Sequence, residues 1–283
     1  MSPDEAREQW IYVDGTFHPR AEAKISVLDH GLLHGDSVFD TCLAANGVIF
    51  RWKAHVDRLY ESARAVGIQI PLTKDQLAGV VRETVRRNGL SDAYIKIVVT
   101  RGVGDYPTLQ PRGCRPSVIV FAQPYASSIA EGNESPPQRA RIVSVRRVPS
   151  QCVDARIKSC NYLNHVLAYL EALGAGAENA IELTIDGHVC EAPGYNVFVV
   201  KDGRLRTPGE EILVGITRQA VIDLAGELGI PIEVTRLTPF DLYNADEVFF
   251  SSTSGGIIPI TAVDGRPVGD GRPGPITQAV RRA

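Results

Sequence analysis

The most informative stretch of the chain lies just past its middle and reads Arg156-Ile157-Lys158-Ser159-Cys160-Asn161-Tyr162-Leu163-Asn164. It follows a β-rich run at residues 141–146, precedes a helical repeat of apolar residues, and contains a lysine but no acidic residue. Lys158 can be an ordinary solvated surface group, or it can be a nucleophile whose depressed pKa permits Schiff-base chemistry. The pattern of this segment alone does not choose between the two.

Two other segments are suited to binding phosphate. Val214-Gly215-Ile216-Thr217-Arg218 places a glycine and a threonine at the start of a predicted helix, where free N–H groups and the helix dipole attract an anion. A turn rich in hydroxyl groups and glycine, residues 251–256, directly follows a predicted strand and can serve the same purpose. The sequence lacks the glycine patterns of the Rossmann fold and the P-loop. A lysine and two such turns without a P-loop predict pyridoxal phosphate as the cofactor.

The 283-residue chain is long enough for two modest domains. Residues 123–138 are rich in proline, serine and glycine, a composition that is typical of a linker. We therefore predict a small N-terminal α/β domain at residues 1–124, an interdomain linker at residues 125–137 and a larger C-terminal domain at residues 138–283. Strands and helices mix in both halves without the strict alternation of a doubly wound sheet, so the predicted fold class is α+β.

Local patterns predict several individual elements. Thr73 and Gln76 form a capping box before a helix that Gly89 ends. Asp202 and Gly203 predict the turn of a β-hairpin. Apolar residues that repeat at helical spacing predict a helix shortly after Lys158. The members of that repeat are Leu163, Val166, Leu167, Leu170 and Leu173.

Composition excludes several classes of protein. Apolar residues make up 44% of the chain and charged residues 22%, which is typical of a folded chain rather than a disordered one. A net charge of −3 is too close to neutral for a protein that mainly binds nucleic acid or an anionic membrane. Five scattered cysteines without a Cys-x-x-Cys pair argue against zinc and disulfides and favour the cytoplasm. His30 and His34 have the spacing of metal ligands, but the glycines beside them indicate a turn, so no metal is predicted.

Six segments in order along nearly the whole chain share the pattern of one enzyme family. They are residues 28–40, 51–59, 156–164, 190–198, 215–218 and 246–259. These segments resemble the class IV (fold type IV) pyridoxal-phosphate aminotransferases. That superfamily includes branched-chain, D-amino-acid and (R)-amine transaminases and aminodeoxychorismate lyase. The resemblance implies a small N-terminal α/β sandwich domain and a larger C-terminal pseudo-barrel α/β domain.

The resemblance also implies how pyridoxal 5'-phosphate is held. Lys158 would bind the cofactor as a Schiff base and later carry the proton between the substrate and the cofactor. Glu191 would pair with the pyridine nitrogen, which makes the ring an electron sink, and Tyr162 would form a hydrogen bond with the ring 3-oxygen. The remaining contacts would be with the phosphate, and they are implied for Arg58, Ile216, Thr217 and Ser252 or Thr253.

The substrate is harder to derive because the chain mixes the patterns of several subfamilies. Thr41 and Lys96 stand where branched-chain enzymes usually have a glycine and an arginine, and both are more similar to aminodeoxychorismate lyase. The turn at residues 253–260 is most similar to the (R)-amine transaminases, and its small residues leave room for a bulky group. The implied substrate-binding residues are His34, Phe39, Thr41, Lys96, Ser254 and Gly255. The candidate cations for a substrate carboxylate are Lys96, Arg101 and Arg112.

These patterns predict a transaminase that moves an amino group from an (R)-amine or D-amino acid to a small keto acid by a ping-pong mechanism. A branched-chain L-amino-acid aminotransferase is the first alternative, and aminodeoxychorismate lyase is the second. A non-enzymatic protein on the same fold is disfavoured by the presence of Lys158 and Glu191. The resemblance further implies a homodimer with the active site near the subunit interface, and a cofactor that sits between the two domains.

Overall fold

Helices and strands mix along the described chain. The structure is a computed structural model that describes residues 8–106, 108–125 and 135–283. None of the helices within those ranges is both long enough and apolar enough to cross a bilayer.

The chain divides into two units. The first holds the described residues up to 125 and also Ile157–Asn161, and the second holds the remaining described residues. The predicted linker at 125–137 falls mostly on residues 126–134, which lie outside the described ranges. Each unit contains both helices and strands, so the predicted α+β class is confirmed.

The first unit begins with a short hairpin and continues with two longer helices and three long strands. Its elements are β1 (Trp10–Val13), β2 (Thr16–Pro19), α1 (His30–His34), β3 (Ser37–Ala45), β4 (Val48–Ile49), α2 (Trp52–Ala65), α3 (Lys74–Arg87), β5 (Ala93–Val103) and β6 (Arg115–Pro124). Among these described elements, six strands form one antiparallel sheet in the order β2-β1-β6-β5-β3-β4.

The core of the first unit lies between this sheet and helices α2 and α3. Leu59 of α2 and Leu77 of α3 are fully buried and belong to the same cluster as Ile95 and Ile97 of β5. Successive side chains of a strand point to opposite faces of its sheet. Lys96 therefore lies on the face opposite Ile95 and Ile97, away from this core.

The start of α3 confirms the predicted capping box. The Thr73 hydroxyl accepts a hydrogen bond from the Gln76 amide at 3.2 Å, and the Gln76 side chain accepts one from the Thr73 amide at 2.8 Å. These bonds satisfy amide groups that have no partner within the helix. Just beyond the last turn, Gly89 adopts a φ of +61°, which favours glycine.

The segment that carries Lys158 belongs to the first unit, whereas the sequence places it in the predicted C-terminal domain. The Phe39 amide donates to the Lys158 carbonyl at 2.9 Å, and the Cys160 amide donates to the Ser37 carbonyl at 2.9 Å. Strand β4 pairs only with Ala44 and Ala45 of β3, so it leaves the other end of that edge open. Residues 158–160 supply the backbone partners there, a long-range pairing that local sequence patterns do not reveal.

The second unit contains the larger share of the strands. Its elements are β7 (Gln138–Arg146), α4 (Leu163–Gly174), β8 (Asn179–Leu183), β9 (Glu191–Ala192), β10 (Tyr195–Lys201), β11 (Arg204–Thr207), α5 (Ile216–Glu227), β12 (Ile232–Val234), α6 (Pro239–Tyr243), β13 (Glu247–Ser252), β14 (Gly256–Val263), β15 (Arg266–Pro267) and α7 (Pro275–Arg282). Among the described residues, these strands form a nine-stranded mixed sheet.

The order in this sheet is β12-β11-β10-β13-β14-β7-β8, with β9 added beside β10 and β15 beside β14. The β11–β12, β14–β7 and β7–β8 pairs are parallel, and the other pairs are antiparallel. The predicted hairpin turn is confirmed between β10 and β11, where Asp202 and Gly203 both have positive φ. Phe198, Phe249 and Phe250 are fully buried and fix the centre of the sheet in the core.

Helix α4 occurs where the apolar repeat predicts it, but most of its leucines do not face the sheet. Ala168 and Ala172 are fully buried in a cluster with Val143 and Ala180, because small side chains allow the helix to lie close to β7 and β8. The predicted repeat lies on the outer side, with relative exposures of 48–68%. The exposed members are Leu163, Val166, Leu167, Leu170 and Leu173.

Candidate active site

Phe39 organises the surroundings of Lys158 in the first unit. The Lys158 ammonium nitrogen lies 4.6 Å from the centroid of the Phe39 ring, and the Lys96 ammonium nitrogen lies 4.4 Å from the same centroid. Thr41 lies directly opposite Lys96 in the register of β3 and β5, so the two side chains share one face of the sheet. The structure thus brings Lys158 together with three predicted substrate-binding residues.

Lys96 is the candidate cation that the structure places beside Lys158. Arg101 is engaged elsewhere, because its guanidinium pairs with Asp36 and donates to the backbone carbonyls of Val66 and Gly67. Arg112 is exposed to solvent. Of the three candidate cations, Lys96 therefore has the best position to meet a substrate carboxylate near Lys158.

Arg58 is held by a buried carboxylate. Its Nε and Nη2 atoms each donate to the Asp40 carboxylate at 2.9 Å, which makes the contact bidentate. His55 Nδ1 lies 2.7 Å from Asp40 Oδ1, and the Asp40 and His55 side chains are 0% and 1% exposed. The planar guanidinium is therefore fixed in orientation before any ligand arrives.

The charges around Asp40 control its ionisation. Burial, the largest influence, works to raise the pKa of Asp40, but the hydrogen bond from His55 and the charge and hydrogen bonds of Arg58 outweigh it. The pKa of Asp40 is therefore below its ordinary value. Asp40 is thus a carboxylate at neutral pH and a permanent partner for Arg58.

In the second unit, Glu191 is a buried carboxylate with two partners. One carboxylate oxygen lies 2.7 Å from Nε of Arg147, and the other accepts a hydrogen bond from the Leu213 amide at 2.9 Å. Burial, the largest influence, raises the pKa of Glu191, while the charges of Arg147 and His165 and the Leu213 hydrogen bond oppose the increase. A carboxylate in this position gains further stabilisation from a cation that enters the site, such as a protonated ring nitrogen.

The first turn of α5 keeps the features of a phosphate site. Gly215 is the N-cap residue, and no side chain caps the helix. A Cβ atom at position 215 would lie 2.0 Å from Oδ1 of Asn196, so only glycine fits beside that side chain. Asn196 Nδ2 in turn donates to the Leu213 carbonyl at 2.8 Å. The Ile216 and Thr217 amides therefore belong to an uncapped helix start that a neighbouring strand positions.

The turn between β13 and β14 is equally restricted. The Gly255 amide donates to the Ser252 hydroxyl at 2.9 Å, so Ser252 still has its own O–H available as a donor. A Cβ atom at position 255 would lie 2.7 Å from the Tyr195 ring. Ser252 and Thr253 are half-buried, whereas Ser254 is exposed.

The register of the sheet brings these second-unit groups to one end of neighbouring strands. Glu191 of β9 lies opposite Asn196 of β10, and Asn196 lies opposite Ser251 of β13. Gly215 lies against Asn196, as described above. The structure thus gathers the predicted carboxylate, helix start and hydroxyl-rich turn within the second unit.

Tyr162 and His34 have different surroundings. The half-buried Tyr162 stands at the N-cap of α4, and its ring centroid lies 4.7 Å from that of His165. His34 is exposed at the end of α1, and its ring contacts His30 at 4.9 Å.

Three groups at the site were not identified from the sequence. Asp40 stands inside a recognised segment, and its place one residue after Phe39 was the only signal available. Arg147 carries no local signal, because its contact with Glu191 arises only when distant segments pack together. His165 lies three residues after Tyr162 in the chain, but its contact with Glu182 joins α4 to β8.

The chain is similar to known proteins over nearly its whole length. Residues 37–263 match the family model described as Amino-transferase class IV. A Methanocaldococcus jannaschii protein, provisionally named a branched-chain-amino-acid aminotransferase, is 46% identical over 96% of this chain and 93% of that protein. The D-alanine aminotransferase of Bacillus licheniformis is 32% identical over 96% of this chain and 95% of that protein.

Solved structures of aminotransferases are also similar to this chain. A branched-chain amino acid aminotransferase from T.th., complexed with N-(5'-phosphopyridoxyl)-L-glutamate, has a TM-score of 0.90 at 35% identity, with 97% of this chain and 92% of that chain covered. The same protein solved with pyridoxamine 5'-phosphate has a TM-score of 0.92. The similarity therefore extends over nearly the full length of this chain.

Proposed function

Because this chain belongs to the class IV aminotransferase family, we propose that it transfers the amino group of a branched-chain L-amino acid to a 2-oxo acid. The observation that carries the proposal is its higher identity to a relative named for branched-chain amino acids than to one named for D-alanine. This donor is the first alternative of the sequence analysis.

The predicted enzyme class, fold type and cofactor are confirmed: the chain is a pyridoxal-phosphate-dependent aminotransferase of fold type IV. The residues present fit that cofactor. The second unit offers a buried carboxylate, Glu191, and an uncapped helix start after Gly215, and the first offers an oriented guanidinium on Arg58. When bound, pyridoxal phosphate supplies a carbonyl group that accepts nitrogen and a ring that takes up electrons.

The first unit would hold the reactive groups. Lys158 would hold the cofactor, and its amine would move the substrate proton. Arg58 binds the phosphate with the guanidinium edge that Asp40 orients. Lys96 binds the substrate carboxylate, since its ammonium group shares the Phe39 ring with that of Lys158. Support for this assignment comes from the distances around Phe39 and Asp40.

The second unit would hold further groups that bind the ring and the phosphate of the cofactor. Glu191 pairs with the pyridine nitrogen, and Tyr162 forms a hydrogen bond with the ring 3-oxygen. The backbone amides of Ile216 and Thr217, and the hydroxyl of Thr217, bind the phosphate. Ser252 or Thr253 adds a further phosphate contact, and Ser252 has a donor available for it.

A second candidate donor is an (R)-amine or a D-amino acid. The specific observation in its favour is the turn at residues 253–260, which resembles that of the (R)-amine transaminases. The small residues Ser254 and Gly255 would also accommodate a bulky substituent. Aminodeoxychorismate lyase activity is a third candidate, because Thr41 and Lys96 are similar to the corresponding residues of that family.

A donor screen tests the proposal. Purified protein with pyridoxal phosphate and a 2-oxo acid would be given L-leucine, D-alanine or (R)-1-phenylethylamine, and formation of the new amino acid would be measured. We expect kcat/KM for L-leucine to exceed the other two by at least about tenfold, the scale on which a side-chain pocket discriminates. Faster turnover of D-alanine or the amine would overturn the proposal, and pyruvate release from aminodeoxychorismate would identify a lyase. Lys158→Ala should be inactive with every donor.

We also propose that the enzyme is a homodimer. The support is the exposed apolar face of α4, which contains Leu163, Val166, Leu167, Leu170 and Leu173. Contiguous apolar surface of this kind is typical of protein interfaces. The cytoplasmic location expected from the cysteine pattern stays a prediction.

A further inference from the structure

The backbone of Lys158 is held from two sides within the first unit. Its carbonyl accepts a hydrogen bond from the Phe39 amide of β3 at 2.9 Å. Its amide donates to the Ser62 hydroxyl of α2 at 3.1 Å. The Ser159 amide donates to the Ile157 carbonyl at 3.0 Å, so Lys158 is the central residue of a three-residue turn. Strand, helix and turn together therefore fix the point from which the Lys158 side chain leaves the backbone.

The contact from α2 is made by a side chain, so a substitution can remove it without changing the backbone. Ser62 is buried, at 3% exposure, and it lies four residues after Arg58 in the helix. Residues four apart lie on the same face of a helix, with Cβ atoms about 6 Å apart. The helix that carries the guanidinium assigned to the phosphate therefore also holds the backbone of the lysine assigned to the cofactor.

These contacts form a closed path through β3 and α2. From Lys158 the path runs through the Phe39 amide to Asp40, the next residue of β3. Asp40 accepts both donors of Arg58. One turn further along α2, the Ser62 hydroxyl returns the path to the Lys158 amide. Because Phe39, Asp40 and Ser62 are all buried, each link is shielded from competition with water.

The proposed cofactor contacts require such a path. Lys158 and Arg58 are assigned to opposite ends of one small molecule, its carbonyl group and its phosphate. A short and stiff ligand reaches both groups without strain only when their separation is already correct. A protein that holds the two groups in place beforehand has less conformational freedom to lose when the ligand binds.

We propose that Ser62 is a positioning residue: its hydroxyl sets the position of the Lys158 backbone relative to the Arg58 guanidinium before the cofactor binds. The inference rests on the proposed roles of Lys158 and Arg58. Ser62 acts through Lys158 and takes no part in bond making. It lies just outside the family segment at residues 51–59, so the sequence pattern did not identify it.

The test compares two ligands of the cofactor-free protein by equilibrium titration. Pyridoxal 5'-phosphate offers a carbonyl group for Lys158 and a phosphate for Arg58, whereas pyridoxine 5'-phosphate has an alcohol in place of the carbonyl group. Ser62→Ala should weaken binding of pyridoxal 5'-phosphate about fivefold to tenfold, because the Lys158 backbone then spends less time in the binding arrangement. The affinity for pyridoxine 5'-phosphate should not change, since Asp40 still holds Arg58.

Thr84→Ala provides the matched control. Thr84 is a fully buried residue of α3 in the same unit, and its hydroxyl donates to the Val80 carbonyl at 2.8 Å. This variant also loses a buried hydroxyl, so it should lower the melting temperature at least as much as Ser62→Ala does, but it should leave both affinities unchanged. Equal losses for the two ligands in Ser62→Ala would mean a purely structural role and overturn the inference, as would an unchanged affinity for pyridoxal 5'-phosphate.

A second background separates this inference from the assignment of Lys158. Lys158→Ala should itself weaken binding of pyridoxal 5'-phosphate, and adding Ser62→Ala should cause no further loss, because Ser62 acts through the Lys158 side chain. A further loss as large as in the wild-type background would contradict the positioning role. If Lys158→Ala binds pyridoxal 5'-phosphate as tightly as the wild type, the assignment of Lys158 is wrong. Melting temperature and circular dichroism of each cofactor-free variant would verify folding.

Discussion

A single carboxylate sets the orientation of the guanidinium assigned to phosphate binding. Asp40 accepts both donors of Arg58 and the hydrogen bond from His55 in a fully buried position. Two guanidinium nitrogens and one imidazole nitrogen therefore converge on its two oxygens. The proposed phosphate contact of Arg58 therefore depends on the carboxylate that holds its guanidinium.

Asp40→Asn should separate this dependence from ordinary packing. Loss of one partner of a buried ion pair costs about 3–5 kcal/mol, because the other charge stays buried without compensation. We expect the free energy of unfolding of the cofactor-free protein to fall by about that amount in urea, and cofactor affinity to fall as well. Asp57→Asn, on the same helix as Arg58 but in surface ion pairs with Lys53 and Lys74, should change stability by less than about 1 kcal/mol. Equal effects of the two variants would contradict the role of Asp40.

The ionisation of Asp40 gives that variant a characteristic pH dependence. The pKa of Asp40 is lowered below its ordinary value of 3.8 in the folded protein. Its contribution to stability is therefore complete above about pH 5 and is lost only as pH falls through the lowered pKa. The stability gap between wild type and Asp40→Asn should stay constant from pH 7 to about pH 5 and narrow below about pH 4. A gap that closes near neutral pH would show that Asp40 is not the ionised partner.

At the scale of elements, the start of α5 is the feature most sensitive to a small change. Gly215→Ala would place a Cβ atom 2.0 Å from Asn196 Oδ1, so Asn196 or the helix start must move. We expect cofactor affinity to fall about tenfold or more, which corresponds to losing one hydrogen bond to a charged group. Equilibrium titration with pyridoxal phosphate measures the loss.

The same helix supplies the control. Gly226 is exposed in α5, and a Cβ atom there would meet no atom within 4 Å. Gly226→Ala should raise stability by about 0.5–1 kcal/mol, because alanine favours the helix, and should leave cofactor affinity unchanged. An affinity loss in Gly226→Ala as large as in Gly215→Ala would remove the argument for a specific helix start.

Elements could be predicted from the sequence where their signals are local. The capping box at Thr73 and the turn at Asp202 involve residues within a few positions of one another, and both are confirmed. The pairing of residues 158–160 with β3 depends on an edge more than 100 residues away in the chain, and no local pattern reports it. Periodicity likewise predicts α4 but not which of its faces meets the sheet.

The candidate site divides in the same way. Lys158, Arg58 and Glu191 lie in segments with a family pattern, so the sequence alone nominates them. Arg147 becomes visible only through its contact with Glu191, which is distant in the chain. His165 lies three residues after Tyr162, but only the folded structure shows that their rings meet. A group can change the properties of a reactive residue whenever it carries a charge and lies close to that residue. Many positions in a chain can place a group there, so no fixed sequence spacing identifies it.

At the scale of the whole molecule, the exposed face of α4 is the feature that supports the proposed homodimer. Its five apolar residues are 48–68% exposed, while alanines hold the opposite face against the sheet. Leucines are not required there for packing within one chain. A second copy that covers this face would bury it and remove the cost of its exposure to water.

Leu170→Glu should therefore weaken the dimer without unfolding the chain. Leu170 is exposed and glutamate is a good helix former, so the single-chain fold should be little changed. Light scattering at micromolar concentration should give a mass near twice 30.7 kDa for the wild type and near 30.7 kDa for the variant. Val48→Glu, at an exposed apolar position in the first unit, should stay dimeric. If the Leu170→Glu variant is still dimeric, the interface lies elsewhere. If the wild type is monomeric, the proposed homodimer is wrong, and these leucines are exposed to water in solution.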